Sequence, residues 1–182
     1  RASRNPSPKN PVALQLAAQD VGENVMYIAR PCQYVAFSKN PQCEYPYWTH
    51  KRFAPEIIDS VSAVIDIGKK RARAKQLELI GFSGGGAVAI LTSSRRSDVA
   101  SIRTLAGNLD HKAWTRHHKI DSLKGSLNPA DVASDVAHIP QFHYVGSKDE
   151  IIGPYIAESF RSKAGRNNCI NIKIVSGATH SQ

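Results

Sequence analysis

The sequence contains no apolar run approaching the roughly 18 residues that a membrane-spanning helix requires, which excludes such a span. It contains no internal repeat and no low-complexity tract, so an ordinary globular chain is expected. No secretory leader is visible. The chain starts at Arg1 rather than Met, so any address label is expected to lie outside it. Cysteine is scarce, with three in 182 residues. Basic charge is plentiful but unorganised. Against 15 Asp and Glu stand 24 Lys and Arg, a net +9, yet the clusters are short (Lys69-Lys70-Arg71 and Arg95-Arg96). No basic stripe interleaved with aromatics is present, so the charge reads as a solvated surface and no nucleic-acid partner is expected.

Hydrophobic residues make up 41% and charged residues 21%, and the length suits one domain over 1–182. Residues 1–11 are polar with three prolines and read as an extended lead-in. Asn10 and Pro11 would open a short helix to Gln19. Asn24–Arg30 suits a buried strand, and 31–50 is loop. A helix is expected over 53–68, with Phe53, Ile57, Val61, Val64, Ile65 and Gly68 on one stripe. Strand 77–81 leads into a helix from Ala87 to about Ser94. Strand 101–106, a loop, a helix over 130–137 opened by Asn128 and Pro129, strand 141–145, helix 154–163 and strand 170–175 follow. Strand and helix alternate, which predicts an α/β fold with a mostly parallel sheet and helices on both faces.

Cys32 and Cys43 flank an irregular loop that a disulfide would restrain, with Cys169 left over. Sequence leaves the pairing open. A bridge implies an oxidising compartment, periplasmic or outside the cell, and three free thiols would fit the cytoplasm.

Gly81-Phe82-Ser83-Gly84-Gly85 matches G-x-S-x-G where a strand ends and a helix begins. A serine on such a turn is lifted above the sheet, and glycines at 81 and 85 are expected to remove the collisions that side chains would cause there. The turn also puts the Gly84 N–H at a helix N-terminus, where it can donate to an oxyanion. A serine hydroxyl needs a base to take its proton. Ser147-Lys148-Asp149-Glu150 follows one later strand and Ser176-Gly177-Ala178-Thr179-His180 follows the next. Nucleophile, acid and histidine therefore occur in the order of Ser83, Asp149 and His180, with Glu150 as the competing acid.

These segments resemble the α/β-hydrolase superfamily, and within it bacterial α/β-hydrolases with a proline-rich lead-in and an R-P-C-Q-Y loop. The resemblance covers 10–182 and rests on GFSGGG at 81–86, GSKDEIIGP at 146–154 and GATH at 177–180. It implies hydrolysis of an ester, thioester or amide through an acyl-enzyme, with no cofactor. It also places a second oxyanion donor after a strand upstream of residue 1 and a last helix beyond His180. The sequence is therefore read as a fragment trimmed at both ends, lacking the N-terminal strands.

Phe82, Asn108 and Trp114 are expected to meet a small acyl substrate. Asn108, Asp110, His111, Trp114, His117 and His118 would rim the same face as the serine, leaving a fairly open site. His111 with His117 and His118 could bind a metal, but no second ligand group of recognisable spacing accompanies them, so no metal is expected. Arg30, Tyr34, Tyr45, Tyr47 and Trp48 could line a pocket or pack their own loop down. A non-catalytic module of the same fold, binding a ligand or partner, is the alternative.

Overall fold

The computed structural model describes residues 5–166 and 168–181, so the first four residues of the lead-in lie outside it. The chain forms two compact units. One runs up to Ala74 and takes in Leu123–Ser126; the other comprises Lys75–Ser122 and Leu127–Gln182.

In the first unit, α1 (Val12–Gln19) buries none of its residues. Cys32 and Cys43 are joined by a disulfide, with Cα atoms 5.3 Å apart, and both are buried. Pro55 opens α2 (Pro55–Ala72), where its fixed φ suits the first helical position. Arg73 closes α2 in the left-handed conformation, its N–H returning to the Lys69 and Lys70 carbonyls. Ile57, Ile58, Val61 and Ile65 are buried. Val64, expected on this stripe, sits at its margin and is 42% exposed.

Asn24–Arg30 is not the expected strand. A strand exists through a hydrogen-bonded neighbour, and among the described residues no strand pairs with this apolar run. Its apolar groups are used otherwise: Met26 lies over Gly68 of α2, where a Cβ would come within 2.5 Å of the Met26 sulfur.

The second unit holds a four-stranded sheet of β1 (Leu77–Phe82), β2 (Val99–Leu105), β3 (Gln141–Gly146) and β4 (Ile170–Val175). The strands lie side by side in chain order and every pair is parallel. Each crossover carries helical structure: α3 (Gly84–Ser93), then α4 (His111–His117) with a 3-10 turn at Pro129–Val132, then α5 (Pro154–Lys163). Register aligns Thr104 with His143 and Ile102 with Gln141 on one face. Ile90, Ile102, Val136, Val145, Ile156 and Phe160 form the core there. The residues between them include Glu78, paired with Arg103 at 2.8 Å, and the exposed Ile80 and Phe142.

Ala130–Ala137 does not form the expected helix. Its bonds are one residue too short, Asp135 N–H to the Val132 carbonyl and Ala137 N–H to that of Ser134. The last two carbonyls of the segment are bonded outside it. Val136 receives the Gln141 side-chain amide at 2.6 Å and Ala137 receives the Cys169 N–H at 2.8 Å.

Candidate active site

Ser83 stands between the last residue of β1 and the first of α3, with φ +51° and ψ −118°. Positive φ is strained for a residue with a side chain and persists only where the surroundings enforce it. Here the enforcement is local. The Ser83 N–H donates to the Leu105 carbonyl at 2.9 Å. The Ser83 carbonyl accepts from the N–H of both Gly86 and Asn108, each at 3.0 Å. Gly84 opens α3, so its N–H belongs to the first turn and has no intrahelical carbonyl to meet.

The glycines around the turn are not equivalent. A Cβ on Gly81 would come within 2.5 Å of the Gly85 carbonyl, and one on Gly86 within 2.8 Å of the Gly107 Cα. A Cβ on Gly85 would meet nothing within 4 Å, so the expected collision at 85 does not exist. The crowding lies one residue later, where α3 passes the end of β2.

The Ser83 hydroxyl lies 3.1 Å from His180 Nε2, and His180 Nδ1 lies 2.9 Å from Asp149 Oδ2. The Asp149 side chain is fully buried and that of His180 is partly buried. Burial of a carboxylate is costly unless its lone pairs are used. Asp149 Oδ1 accepts the N–H groups of Ile151 and Ile152 at 2.9 and 2.8 Å, the turn that an aspartate readily builds with residues just ahead of it. Glu150 is exposed, and Asp149 is the carboxylate bonded to His180.

The two loops are tied together beyond this pair. Ser147 N–H donates to the Val175 carbonyl, Lys148 N–H to that of Ala178, and Gly177 N–H to the Ser147 hydroxyl. Gly146 sits beneath this contact, and a Cβ there would strike the Ala178 carbonyl. Chemically, an imidazole held by a carboxylate on one nitrogen and facing a hydroxyl on the other can take that hydroxyl's proton.

No family model matches this sequence, and no curated protein does. Solved structures do. Puromycin hydrolase superposes with a TM-score of 0.57 at 20% identity, over 68% of this chain and 22% of that one. An esterase of Pyrococcus furiosus gives 0.56 at 18% identity, over 70% and 55%. A Klebsiella pneumoniae protein assigned as a dienelactone hydrolase gives 0.56 at 23% identity, over 78% and 58%. The chain has the α/β-hydrolase fold. It spans about a fifth to three fifths of the length of these hydrolases.

Within the α/β-hydrolase fold described here, Ser83, Asp149 and His180 follow the carboxyl ends of β1, β3 and β4, where ligands of open α/β sheets bind. Phe82 presents its ring to His180 with centroids 5.2 Å apart. Asn108 is buried behind Ser83, and its side-chain oxygen has no hydrogen-bond partner. Trp114 donates its indole N–H to the Ile151 carbonyl at 2.9 Å.

The expected rim residues divide. Asp110 is fully buried as the cap of α4, its carboxylate receiving Ala113 N–H, the Asn128 amide, the Ser159 hydroxyl and Lys163. Burial raises its pKa, and Ser159, the Ala113 N–H and Lys163 together outweigh burial and lower it. His111 is buried as well, with Nε2 on the Leu127 carbonyl at 3.1 Å. Neither lies on an open rim. Among the described residues no three His, Cys, Asp or Glu are grouped to hold a metal ion.

Tyr45, Tyr47 and Trp48 belong to the first unit and pack there. Tyr45 meets Trp48 edge-on at 5.7 Å, and the Tyr47 hydroxyl donates to Glu56 at 3.0 Å. The residues that sequence reasoning missed are Ile151 and Ile152, whose backbone holds Asp149; His118, expected at the rim, places Nε2 3.0 Å from the Ile151 carbonyl. Backbone donors leave no mark on residue type.

Proposed function

We propose that this chain is one α/β-hydrolase domain and that Ser83, His180 and Asp149 are the catalytic triad of a serine hydrolase acting on a small carboxylic ester. The observation that carries the reading is the unbroken line from Ser83 Oγ through the imidazole to a buried carboxylate, at 3.1 and 2.9 Å.

In this mechanism His180 Nε2 takes the Ser83 proton as Oγ attacks the acyl carbonyl carbon. The oxyanion that forms is met by the Gly84 N–H. Asp149 keeps Nδ1 protonated and stabilises the imidazolium. His180 then returns the proton to the leaving alcohol, the C–O bond breaks, and an acyl-Ser83 ester remains. Water, deprotonated by the same imidazole, releases the acid and restores the hydroxyl. No cofactor enters these steps. Thioesters and amides are variants of the same chemistry, differing in the leaving atom. Phe82, Asn108 and Trp114 are the side chains proposed to face the substrate.

The hydrolase names of the similar structures agree with this reading at the level of hydrolase chemistry. The Cys32–Cys43 disulfide favours an oxidising setting, periplasmic or extracellular.

The test is covalent labelling with a fluorophosphonate probe, mapped by mass spectrometry. An adduct on Ser83 that disappears in Ser83→Ala is expected. A folded protein that takes no label would instead be a binding module on the same fold.

A further inference from the structure

The acid loop carries more than the aspartate. Its next residue but one, Ile151, has both backbone groups committed: the N–H goes to Asp149 Oδ1 at 2.9 Å, and the carbonyl accepts two side chains from a single neighbouring element. Trp114 in α4 donates its indole N–H to that carbonyl at 2.9 Å, and His118, the residue capping α4, places Nε2 3.0 Å from it. A carbonyl only accepts, so Nε2 of His118 carries the hydrogen. The two rings also touch, with centroids 5.5 Å apart.

The brace has its own anchor. Asp110, the cap of α4, is tied to Ser159 and Lys163 of α5 at 2.7 and 3.1 Å. His117 lies against Tyr155 of α5 with centroids 4.5 Å apart. Helix α4 is thereby fixed to α5, the helix that directly follows the acid loop. Ile151 itself is half exposed and gives the loop little apolar anchorage, so its polar ties decide where it sits.

We infer that Trp114 and His118 are positioning residues: they hold the carbonyl of the Ile151–Ile152 peptide, and through the N–H of that same rigid peptide, which Ile152 donates to Asp149 Oδ1 at 2.8 Å, they aim the Asp149 carboxylate at His180. The inference rests on the triad reading above. It gives Trp114 a task at its nitrogen separate from any contact its ring makes with substrate, and gives His118 a task other than metal binding. Neither side chain touches the reacting atoms. Their effect falls on the geometry of a pair that must stay aligned to within a fraction of an ångström.

The experiment measures p-nitrophenyl butyrate turnover and fluorophosphonate labelling of Trp114→Phe, His118→Leu, the double variant and His118→Gln. Gln offers an amide N–H in place of the imidazole N–H. Each single loss is expected to lower kcat about three- to tenfold with KM little changed, and the double variant by on the order of 10²-fold. His118→Gln should recover most of the loss, which a merely structural role would not produce. Hydrogen exchange at the Ile151 and Ile152 amides should quicken in His118→Leu and the double variant, a readout independent of turnover.

Labelling and exchange at the unaltered rates in His118→Leu and Trp114→Phe, with Ser83→Ala silent, would overturn the brace and leave the triad standing. No labelling of the unaltered protein, with exchange still quickened in the variants, would overturn the triad and leave the brace. Loss of thermal stability without rescue by His118→Gln would also overturn it.

Discussion

Gly81 and Gly85 frame Ser83 symmetrically in the sequence but not in space: a Cβ on Gly81 would press to within 2.5 Å of the Gly85 carbonyl, whereas a Cβ on Gly85 would meet nothing within 4 Å. Gly81→Ala should therefore disrupt the turn, because the obstacle is backbone and cannot step aside. Gly85→Ala, inside α3, should be neutral or stabilising by up to about 1 kcal/mol through helix propensity. Gly86→Ala should behave like Gly81→Ala, with Gly107 as its obstacle. Urea midpoints of the three variants check this; a destabilised Gly85→Ala would contradict the geometry.

The triad reading predicts a graded series. Ser83→Ala and His180→Ala should each abolish turnover to a similar extent, roughly 10⁶-fold, since they act as a unit. Asp149→Asn should retain a trace, with a loss of about 10⁴-fold. Glu150→Gln should stay within about twofold of the unaltered protein, being exposed and outside the line. Steady-state kinetics on one activated ester resolve these classes.

His143 sets a pH dependence of stability. It is buried in the core with its ring edge-on to Phe160, and burial pushes its pKa from 6.5 down to about 4. Its neutral form is satisfied, Nδ1 facing the Thr104 hydroxyl at 2.8 Å and Nε2 facing Gln141 at 3.2 Å. The unfolded chain binds this proton more readily, so stability is complete above pH 6.5 and falls as the pH drops toward 4. The slope from this one group is about 1.4 kcal/mol per pH unit. Denaturant titrations between those limits should show a shallower decline in His143→Leu than in the unaltered protein. Equal slopes would mean the imidazole is reached by water.

The disulfide gives a thiol count. One reactive thiol, the exposed Cys169, is expected in the unfolded protein before reduction and three after it. Closing a loop between residues 11 apart constrains the unfolded chain by on the order of 2–3 kcal/mol, so reduction should lower stability by about that much. Three thiols before reduction would remove the reason for an oxidising location.

Much of the sheet was legible because its signals are local. β1, β2, β3 and β4 are short apolar runs bounded by polar turns, and the observed spans differ from the expected ones by a residue or two at their ends. The three residues of the Ser83 line could be named because each follows such a run. Two elements were not legible, for reasons of neighbourhood. Asn24–Arg30 has strand composition, but among the described residues no strand lies beside it. Ala130–Ala137 has helix composition, but its N–H groups reach back three residues rather than four. Gly85 was misjudged because a motif gives spacing along the chain, not the path of the backbone. The brace on Ile151 was hidden because its central atom is a main-chain oxygen.

The order of strands carries a consequence for folding. Asp149 and His180, 31 residues apart, are delivered by adjacent strands, whereas Ser83 is 97 residues from His180 and comes from the opposite end of the sheet. The acid and base can therefore meet once β3, α5 and β4 have docked, a local event of low contact order. The nucleophile joins them only when β1 and β2 have added to that unit. During refolding, regained reactivity toward a serine probe would thus time the closing step of sheet assembly, and would lag behind any signal that reports the β3–β4 half alone.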